Sequence, residues 1–323
     1  MNYENETMRP APAPLFRDPV YEGPTDPTII WNREEKSWWI VYTARRATDK
    51  GRGVAWVHGT DLGVASSCDN GRTWLYRGTL ELEPVEKGRN TFWAPEILYH
   101  AGRYHMFVSY ITGVPEAWVG DRRILHYTSE DLWTWKYEGA LPLPSRKVID
   151  ACVYPAPEGW RLWYKDEDHE SQTRFASSPD LYAWTYSGIA TSDQAQEGPN
   201  VFSLGGKTWM IADVWDGLAV YETEDLLHWK RQEGNALQGP GTRPDDENRA
   251  HHADVISFGD HAYLIYFTHP DQRKEGVGEW RKRRSAVQAA LLTVEEGKLK
   301  VTRDEPFDFF LPALSEEEEE KQI

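Results

Sequence analysis

Ser67-Cys68-Asp69-Asn70-Gly71-Arg72-Thr73-Trp74 carries the pattern from which the fold is read: Ser/Thr-x-Asp, then a Trp four or five residues past the Asp. Ser129-Glu130-Asp131 leads to Trp135, Ser178-Pro179-Asp180 to Trp184, and Thr223-Glu224-Asp225 to Trp229. Gly78, Gly139 and Gly188 soon follow the first three of these Trp residues. Upstream of each copy lies a short apolar stretch, a turn and an aromatic strand. These are Thr28–Ile30 with Trp38–Tyr42, Ile97–Tyr99 with Tyr104–Val108, Cys152–Tyr154 with Trp160–Tyr164, and Val201–Phe202 with Thr208–Ile211. A fifth pair, Val255–Ile256 with Ala262–Phe267, has no Ser-x-Asp copy behind it.

The strands are short, aromatic or β-branched, and bounded by Gly, Asn and Asp turns. No long stretch holds a helical apolar period. Four strands per unit, with units about 45 to 60 residues apart, is the spacing of a propeller. The expected fold is therefore all-β: a single five-bladed β-propeller over residues 1–323 with four antiparallel strands per blade. The blades fall at about 24–80, 90–140, 148–190, 196–233 and 250–303, with an acidic tail at 315–323. An atypical last repeat is expected where a ring closes. The competing reading is a β-sandwich with accidental similarity. Asp and Ser side chains bond the backbone of tight turns, and the Trp after each turn is expected to pack between blades.

Composition narrows the function. Of 323 residues, 40% are hydrophobic and 13% aromatic, enough for a core. The sixteen Trp are expected mainly in that core, although Trp also lines sugar sites. The net charge of −16 and the lack of a basic stripe argue against a nucleic-acid partner. Arg281–Arg284 reads as a solvated loop, and Glu316–Glu320 as a frayed tail. Cys68 and Cys152 are too few for a disulfide framework and are expected as buried thiols. The polar, Pro-rich start lacks a signal-like apolar stretch, and no run reaches membrane-spanning length. The expectation is a cytoplasmic protein with no membrane partner; oligomeric state is left open.

The first strand of each propeller blade lines the central channel. Aligning the five strand openings gives Thr25-Asp26-Pro-Thr-Ile-Ile, Trp93-Ala-Pro-Glu-Ile-Leu, Ile149-Asp150-Ala-Cys-Val-Tyr, Glu197-Gly-Pro-Asn-Val-Phe and His251-His252-Ala-Asp-Val-Ile. One column holds Asp26, Ala94, Asp150, Gly198 and His252, with Glu197 one residue ahead of its column. Carboxylates gathered at a channel mouth cost desolvation and repel one another, which marks them as functional. The bland alternative is a set of acids capping strand ends. Glycoside hydrolysis needs two carboxyl groups, one protonated and one ionised, and a third can raise the acid's pKa.

These openings resemble glycoside hydrolase family 43 and its five-bladed relatives. The resemblance rests on Asp26 in Thr-Asp-Pro-Thr-Ile-Ile, Asp150 in Val-Ile-Asp-Ala, Glu197 in Glu-Gly-Pro-Asn, and Trp93-Ala-Pro-Glu96, and it covers the whole propeller. It implies Asp26 as general base, Glu197 as general acid, and Asp150 as orienter and pKa modulator. It also implies inversion of the anomeric centre and arabinose- or xylose-containing substrates, although divergent relatives cleave anhydro-galactose and galactan-type sugars. Asp18, in Phe16-Arg-Asp-Pro, is a rival to Asp26, and the Ala-Cys-Val continuation of blade three departs from the family's acidic and aromatic pattern. The first Ser-x-Asp copy also matches the sialidase Asp-box, which is a structural motif.

The resemblance further implies a blade-five His near a central calcium or water cluster. That makes His252 a metal neighbour acting through water; no cofactor is otherwise required. Trp93, Trp215, His251, Asp166 and Arg249 are candidate sugar-binding residues, with Glu96 behind them. The leading expectation is an inverting, exo-acting glycosidase on short oligosaccharides, its funnel walled by the loops at 43–62 and 113–123. The alternatives are a propeller-type phosphorylase, with phosphate held by Arg122, Arg123 and Arg249, and a non-catalytic sugar-binding propeller.

Overall fold

In the computed structural model, residues 8–315 are described; the Glu316–Glu320 tail lies outside them. Blade one is β1 (Pro24–Asn32), β2 (Ser37–Ala44), β3 (Leu62–Ser67) and β4 (Leu75–Thr79). A two-residue β5 (Glu81–Leu82) precedes blade two, which is β6 (Thr91–His100), β7 (Arg103–Ile111), β8 (Arg123–Ser129) and β9 (Thr134–Ala140). Blade three is β10 (Val148–Ala156), β11 (Gly159–Asp166), β12 (Gln172–Ser178) and β13 (Thr185–Thr191). Blade four is β14 (Glu197–Leu204), β15 (Lys207–Asp213), β16 (Leu218–Thr223) and β17 (Lys230–Ala236). Blade five is β18 (His251–Phe258), β19 (His261–Thr268), β20 (Ala286–Glu295) and β21 (Lys298–Thr302), with the short helix α1 (Glu279–Arg283) before β20. Each blade is an antiparallel meander, and β5 adds to β9 as a parallel fifth strand.

The Ser-x-Asp turns work as their chemistry predicts. Ser67, Ser129, Ser178 and Thr223 each donate a hydroxyl to the Asp two residues on, at 2.8, 3.0, 3.2 and 3.2 Å. The same Asp oxygen accepts backbone N–H groups of the turn, as Asp131 does from Trp133 and Thr134, both at 2.8 Å. The residue after each Asp is left-handed: Asn70, Leu132, Leu181 and Leu226 have φ of 62°, 66°, 69° and 62°. Trp135 and Trp184 are buried and donate to the carbonyls of Leu132 and Leu181 at 2.9 and 2.8 Å. Trp74 and Trp229 are only partly buried.

The seam between blades one and five is sealed by both flanking segments. Leu15 N–H donates to the Val287 carbonyl (2.9 Å), and Val287 N–H to the Phe16 carbonyl (3.0 Å). Trp38 donates its indole N–H to the Pro312 carbonyl at 2.8 Å. Phe16, Trp38, Ile256, Val287 and Phe309 share one apolar cluster across the seam.

Two expectations are corrected. Cys152 is buried, but Cys68 is exposed, because it stands just past β3 inside the turn. Arg281–Arg284 is no solvated loop: it overlaps α1, and Arg284 bridges Asp271 at 2.5 Å and Asp245 at 2.9 Å. No helix among the described residues is long and apolar enough to cross a membrane.

Candidate functional site

All five innermost strands break register at the same place: between Thr25 and Thr28, Trp93 and Glu96, Ile149 and Cys152, Glu197 and Asn200, and His251 and Ala253. A bulge re-aims a side chain and leaves backbone groups unpaired. In four blades the re-aimed residue is left-handed: Asp26, Ala94, Asp150 and Gly198 have φ of 49°, 45°, 61° and 55°. Outside glycine that conformation is strained, and such strain clusters at functional sites.

The bulge frees an N–H, which the neighbouring blade caps. Ala94 N–H donates to Thr43 Oγ1 (2.8 Å), Asp150 N–H to Ser109 Oγ (3.0 Å) and His252 N–H to Asp213 Oδ2 (3.3 Å). Thr43, Ser109 and Asp213 occupy equivalent positions, each opposite the residue before the bulge in its own blade. Blade three puts Lys165 there instead. An ammonium accepts nothing, so the cap for Gly198 comes from Asp150, whose Oδ2 accepts its N–H at 3.1 Å. Gly198 also admits the ring of His252, since a Cβ there would lie 2.6 Å from its Cγ.

These strand openings surround a funnel of about 450 Å³ that brings Asp26, Asp150 and Glu197 together. Asp26 is 5% exposed. Burial pushes its carboxyl up, but Arg45, His252 and hydrogen bonds from Thr25 and Thr43 outweigh that and hold it below the usual Asp range. Arg45 Nη2 lies 3.3 Å from Asp26, and His252 Nδ1 lies 3.7 Å away. Asp150 is shifted the other way, to about 7, chiefly by burial and further by the charges of Glu197 and Asp26, against the pull of His252 and Lys165. Glu197 is more open, with 26% of its side chain exposed. It accepts from Lys165 Nζ at 2.8 Å and from the Trp215 indole N–H at 2.9 Å. Lys165 also faces Glu167 at 3.3 Å; these carboxylates keep its ammonium protonated although burial opposes it.

Trp93, Trp215, Arg249, His251 and His252 all line this funnel. Trp93 is pinned by its indole N–H to the Val57 carbonyl at 2.6 Å. His251 stacks on Phe267, and its Nδ1 meets Asp213 Oδ2 at 2.9 Å. The loops at 43–62 and 113–123 supply Trp56 and Trp118 to the wall, and Trp118 stands 61% exposed at the rim.

Two candidate residues are not in the funnel. Asp166 is fully buried and caps a turn, accepting from Ser145 Oγ at 2.7 Å and Asp168 N–H at 3.1 Å. Side chains alternate along β11, so Lys165 points inward where Asp166 cannot. Glu96 belongs to a second ring two residues deeper, with Thr28, Cys152, Asn200 and Asp254. Glu96 accepts Val153 N–H (2.7 Å), Cys152 Sγ accepts Val201 N–H (3.1 Å) and Asp254 accepts Ile29 N–H (2.7 Å). Each bond ties one blade to the next, so Glu96 is a staple on a separate cavity at the channel's other end. Asp18 is no rival to Asp26: it binds Tyr42 Oη at 2.6 Å and two turn N–H groups.

Of the arginines proposed to hold phosphate, only Arg249 reaches the funnel; Arg122 pairs with Glu167 at 3.1 Å and Arg123 with Glu86 at 3.0 Å. Among the described residues no three His, Cys, Asp or Glu side chains are grouped to hold a metal ion. Calcium takes roughly six to eight oxygen ligands, and the surroundings of His252 do not fit a direct site of that kind.

No family description matches the sequence, and no curated protein does. Solved structures do. A thermostable family-43 glycoside hydrolase superposes with a TM-score of 0.67 at 20% identity, over 91% of this chain and 99% of that one. An α-L-arabinofuranosidase from Lactobacillus brevis gives 0.65 at 16% identity, over 91% and 98%. A GH32 β-fructofuranosidase from Bombyx mori gives 0.64 at 14% identity, over 90% of this chain and 66% of that one. At these identities the likeness establishes the fold, a five-bladed propeller.

Proposed function

We propose that this chain is a glycoside hydrolase whose chemistry is carried by Asp26, Asp150 and Glu197. The observation that carries the reading is the convergence of these three carboxyl groups, from three different blades, in one aromatic-walled funnel. The similarity to structures named as family-43 and GH32 glycosidases supports it.

The electrostatics divide the roles. Asp26, held ionised by Arg45, is the general base for the attacking water. The acid proton belongs to the Asp150 and Glu197 pair. Asp150 retains a proton up to about pH 7 because it is buried among like charges. Glu197 is the more exposed member and the one that reaches a leaving-group oxygen. Protonation at one side and ionisation at the other is the division that inversion requires. The walls built by Trp56, Trp93 and Trp118 suit exo cleavage of short oligosaccharides of arabinofuranoside, xyloside or related sugars.

The test is proton NMR of the first product released from aryl pentosides and from arabino-, xylo- and galacto-oligosaccharides. Release of the opposite anomer, abolished in Glu197→Ala with the fold intact by circular dichroism, is the expected result. Normal turnover in Glu197→Ala overturns the assignment. Sugar binding without cleavage of any glycoside identifies a binding propeller instead.

A further inference from the structure

The arginine and lysine side chains in and beside the funnel pair off with one exception. Asp26 answers Arg45, Glu197 answers Lys165, and Glu167 answers Arg122. Arg249 has no such partner: no carboxylate of the described residues pairs with it, and its Nε is buried without a hydrogen-bond acceptor. His251 has the same deficit on one side. Its Nδ1 is taken by Asp213, while its Nε2 is buried and unbonded. The two residues flank Ala250, which is fully buried in the apolar core. Alternation along the extended stretch leading into β18 therefore turns 249 and 251 toward the same wall of the funnel.

A half-buried guanidinium without an acceptor is costly, and here a ligand group is what restores the acceptor. We infer that Arg249 forms an oxyanion subsite, with His251 beside it to hold a hydroxyl of the same ligand, and that the molecule bound in the funnel brings a carboxylate, sulfate or phosphate to Arg249. The planar guanidinium fork fits such a group bidentately. The Asp213 carboxylate fixes His251 Nδ1 as the donor, which leaves Nε2 to accept from a neighbouring sugar hydroxyl. The nearby carboxyl groups do not exclude an anion, because Asp26 faces Arg45, Glu197 faces Lys165, and Asp150 keeps its proton up to about pH 7. The oxyanion has two sources: a charged sugar such as a uronate or a sulfated or phosphorylated residue, or free inorganic phosphate beside a neutral sugar.

This inference rests on the funnel being the sugar site, and binding tests it apart from catalysis. Calorimetric titrations of the full chain compare galacturonate with galactose, glucuronate with xylose, galactose 6-sulfate with galactose, and inorganic phosphate alone, for wild type and Arg249→Ala. Among the described residues the Arg249 side chain has no hydrogen-bond or ion-pair partner to lose, so the variant is expected to keep the wild-type melting temperature. A charged sugar is expected to bind roughly 10- to 100-fold tighter than its neutral counterpart, the size of a hydrogen bond to a charged group, and Arg249→Ala removes that preference. Phosphate binding alone, lost in Arg249→Ala and accompanied by phosphate-dependent turnover, assigns the subsite to free phosphate. No anion preference, or a preference that survives in Arg249→Ala, overturns the subsite. Cleavage of neutral glycosides without anion preference sinks the subsite and leaves the hydrolase standing; anion preference with no cleavage sinks only the hydrolase.

Discussion

Lys165 Nζ donates to Glu197 Oε2 at 2.8 Å from the strand position where blades one, two and four carry the capping side chains Thr43, Ser109 and Asp213. One change of residue type at a repeated position thus does two things. It gives Glu197 a counter-charge, and it obliges Asp150 to cap Gly198.

Replacing Lys165 by Met removes a cation that lowers the proton affinity of Asp150. Burial and like charges raise Asp150 to about 7, and in the proposed mechanism the protonated form is the active one, so wild-type kcat/KM is expected to fall as pH rises through about 7. In Lys165→Met that alkaline limb moves up by about one unit or more. A pH–rate profile with an unmoved limb sinks this division of the proton.

Asp26→Asn keeps the size of the side chain and tolerates the left-handed backbone at φ 49°. It removes the proposed base, and kcat is expected to drop by about 10²–10⁴-fold with little change in the melting temperature. A variant of near-normal rate would show that another group activates the water.

Gly198 and Ala94 occupy the same bulge position with opposite consequences for substitution. Gly198→Ala adds a Cβ 2.6 Å from His252 Cγ at φ 55°, costing roughly 2–5 kcal/mol in strain and overpacking. It also displaces the ring beside Asp26, so activity falls with stability. Ala94→Gly relieves about 1–2 kcal/mol of left-handed strain, against about 0.5–1 kcal/mol of chain entropy and about 0.8 kcal/mol of lost burial. Its melting temperature is expected to stay near wild type. Equal losses in both variants would remove the strain argument.

His105 Nδ1 and His126 Nε2 lie 3.0 Å apart between blades two and three, with Phe107 stacked on His126 and Tyr182 over both. Burial lowers them to about 4 and about 3; His100 and Arg103 press His105 further down, His105 does the same to His126, and Glu138 opposes. Their folded pKa values lie below the unfolded one, so the unfolded chain binds more protons as acid is added. Their contribution to stability is complete above pH 6.5 and is lost as pH falls from there toward 4 and 3. His126→Gln is expected to flatten the fall in melting temperature between pH 6.5 and 4. An unchanged slope means the carboxylates alone set acid stability.

The five blades were legible because the Ser-x-Asp turn and its Trp are local chemistry, and because the bulge column recurs at matched positions. Asp26, Asp150, Glu197, Trp93, Arg249, His251 and His252 could be named because they sit at or just before the openings of inner strands, whose address the repeat supplies, whereas Trp215 lies in the turn between β15 and β16. Lys165 was missed by one residue. Asp166 attracted notice as an acid, and only the register of β11 against β10 shows which of the two faces inward. Arg45, Trp56 and Trp118 come from loops and strand ends with no repeat to index them. Glu96 lies behind the funnel, as its place two residues deeper in the strand implies, but so far along that it lines the ring of staples and cannot reach a sugar in the funnel. The exposure of Cys68 and the pairing of Arg284 with Asp245 and Asp271 depend on contacts between segments far apart in the chain.

The seam has a consequence for a chain still being made. Asp26 and His252 stand 3.7 Å apart, yet one comes from blade one and the other from blade five. The bonds of Leu15 and Phe16 to Val287 form only after the third strand of the last blade exists. Domains generally fold as units, so a nascent chain that has emerged only through its fourth blade already holds Asp26, Asp150 and Glu197 and cannot close the ring. It presents bare sheet faces to its neighbours and has no complete funnel to offer a sugar. The last blade to be synthesised is therefore the one that arms the molecule, and truncation products are expected to be inert and sticky rather than partly active.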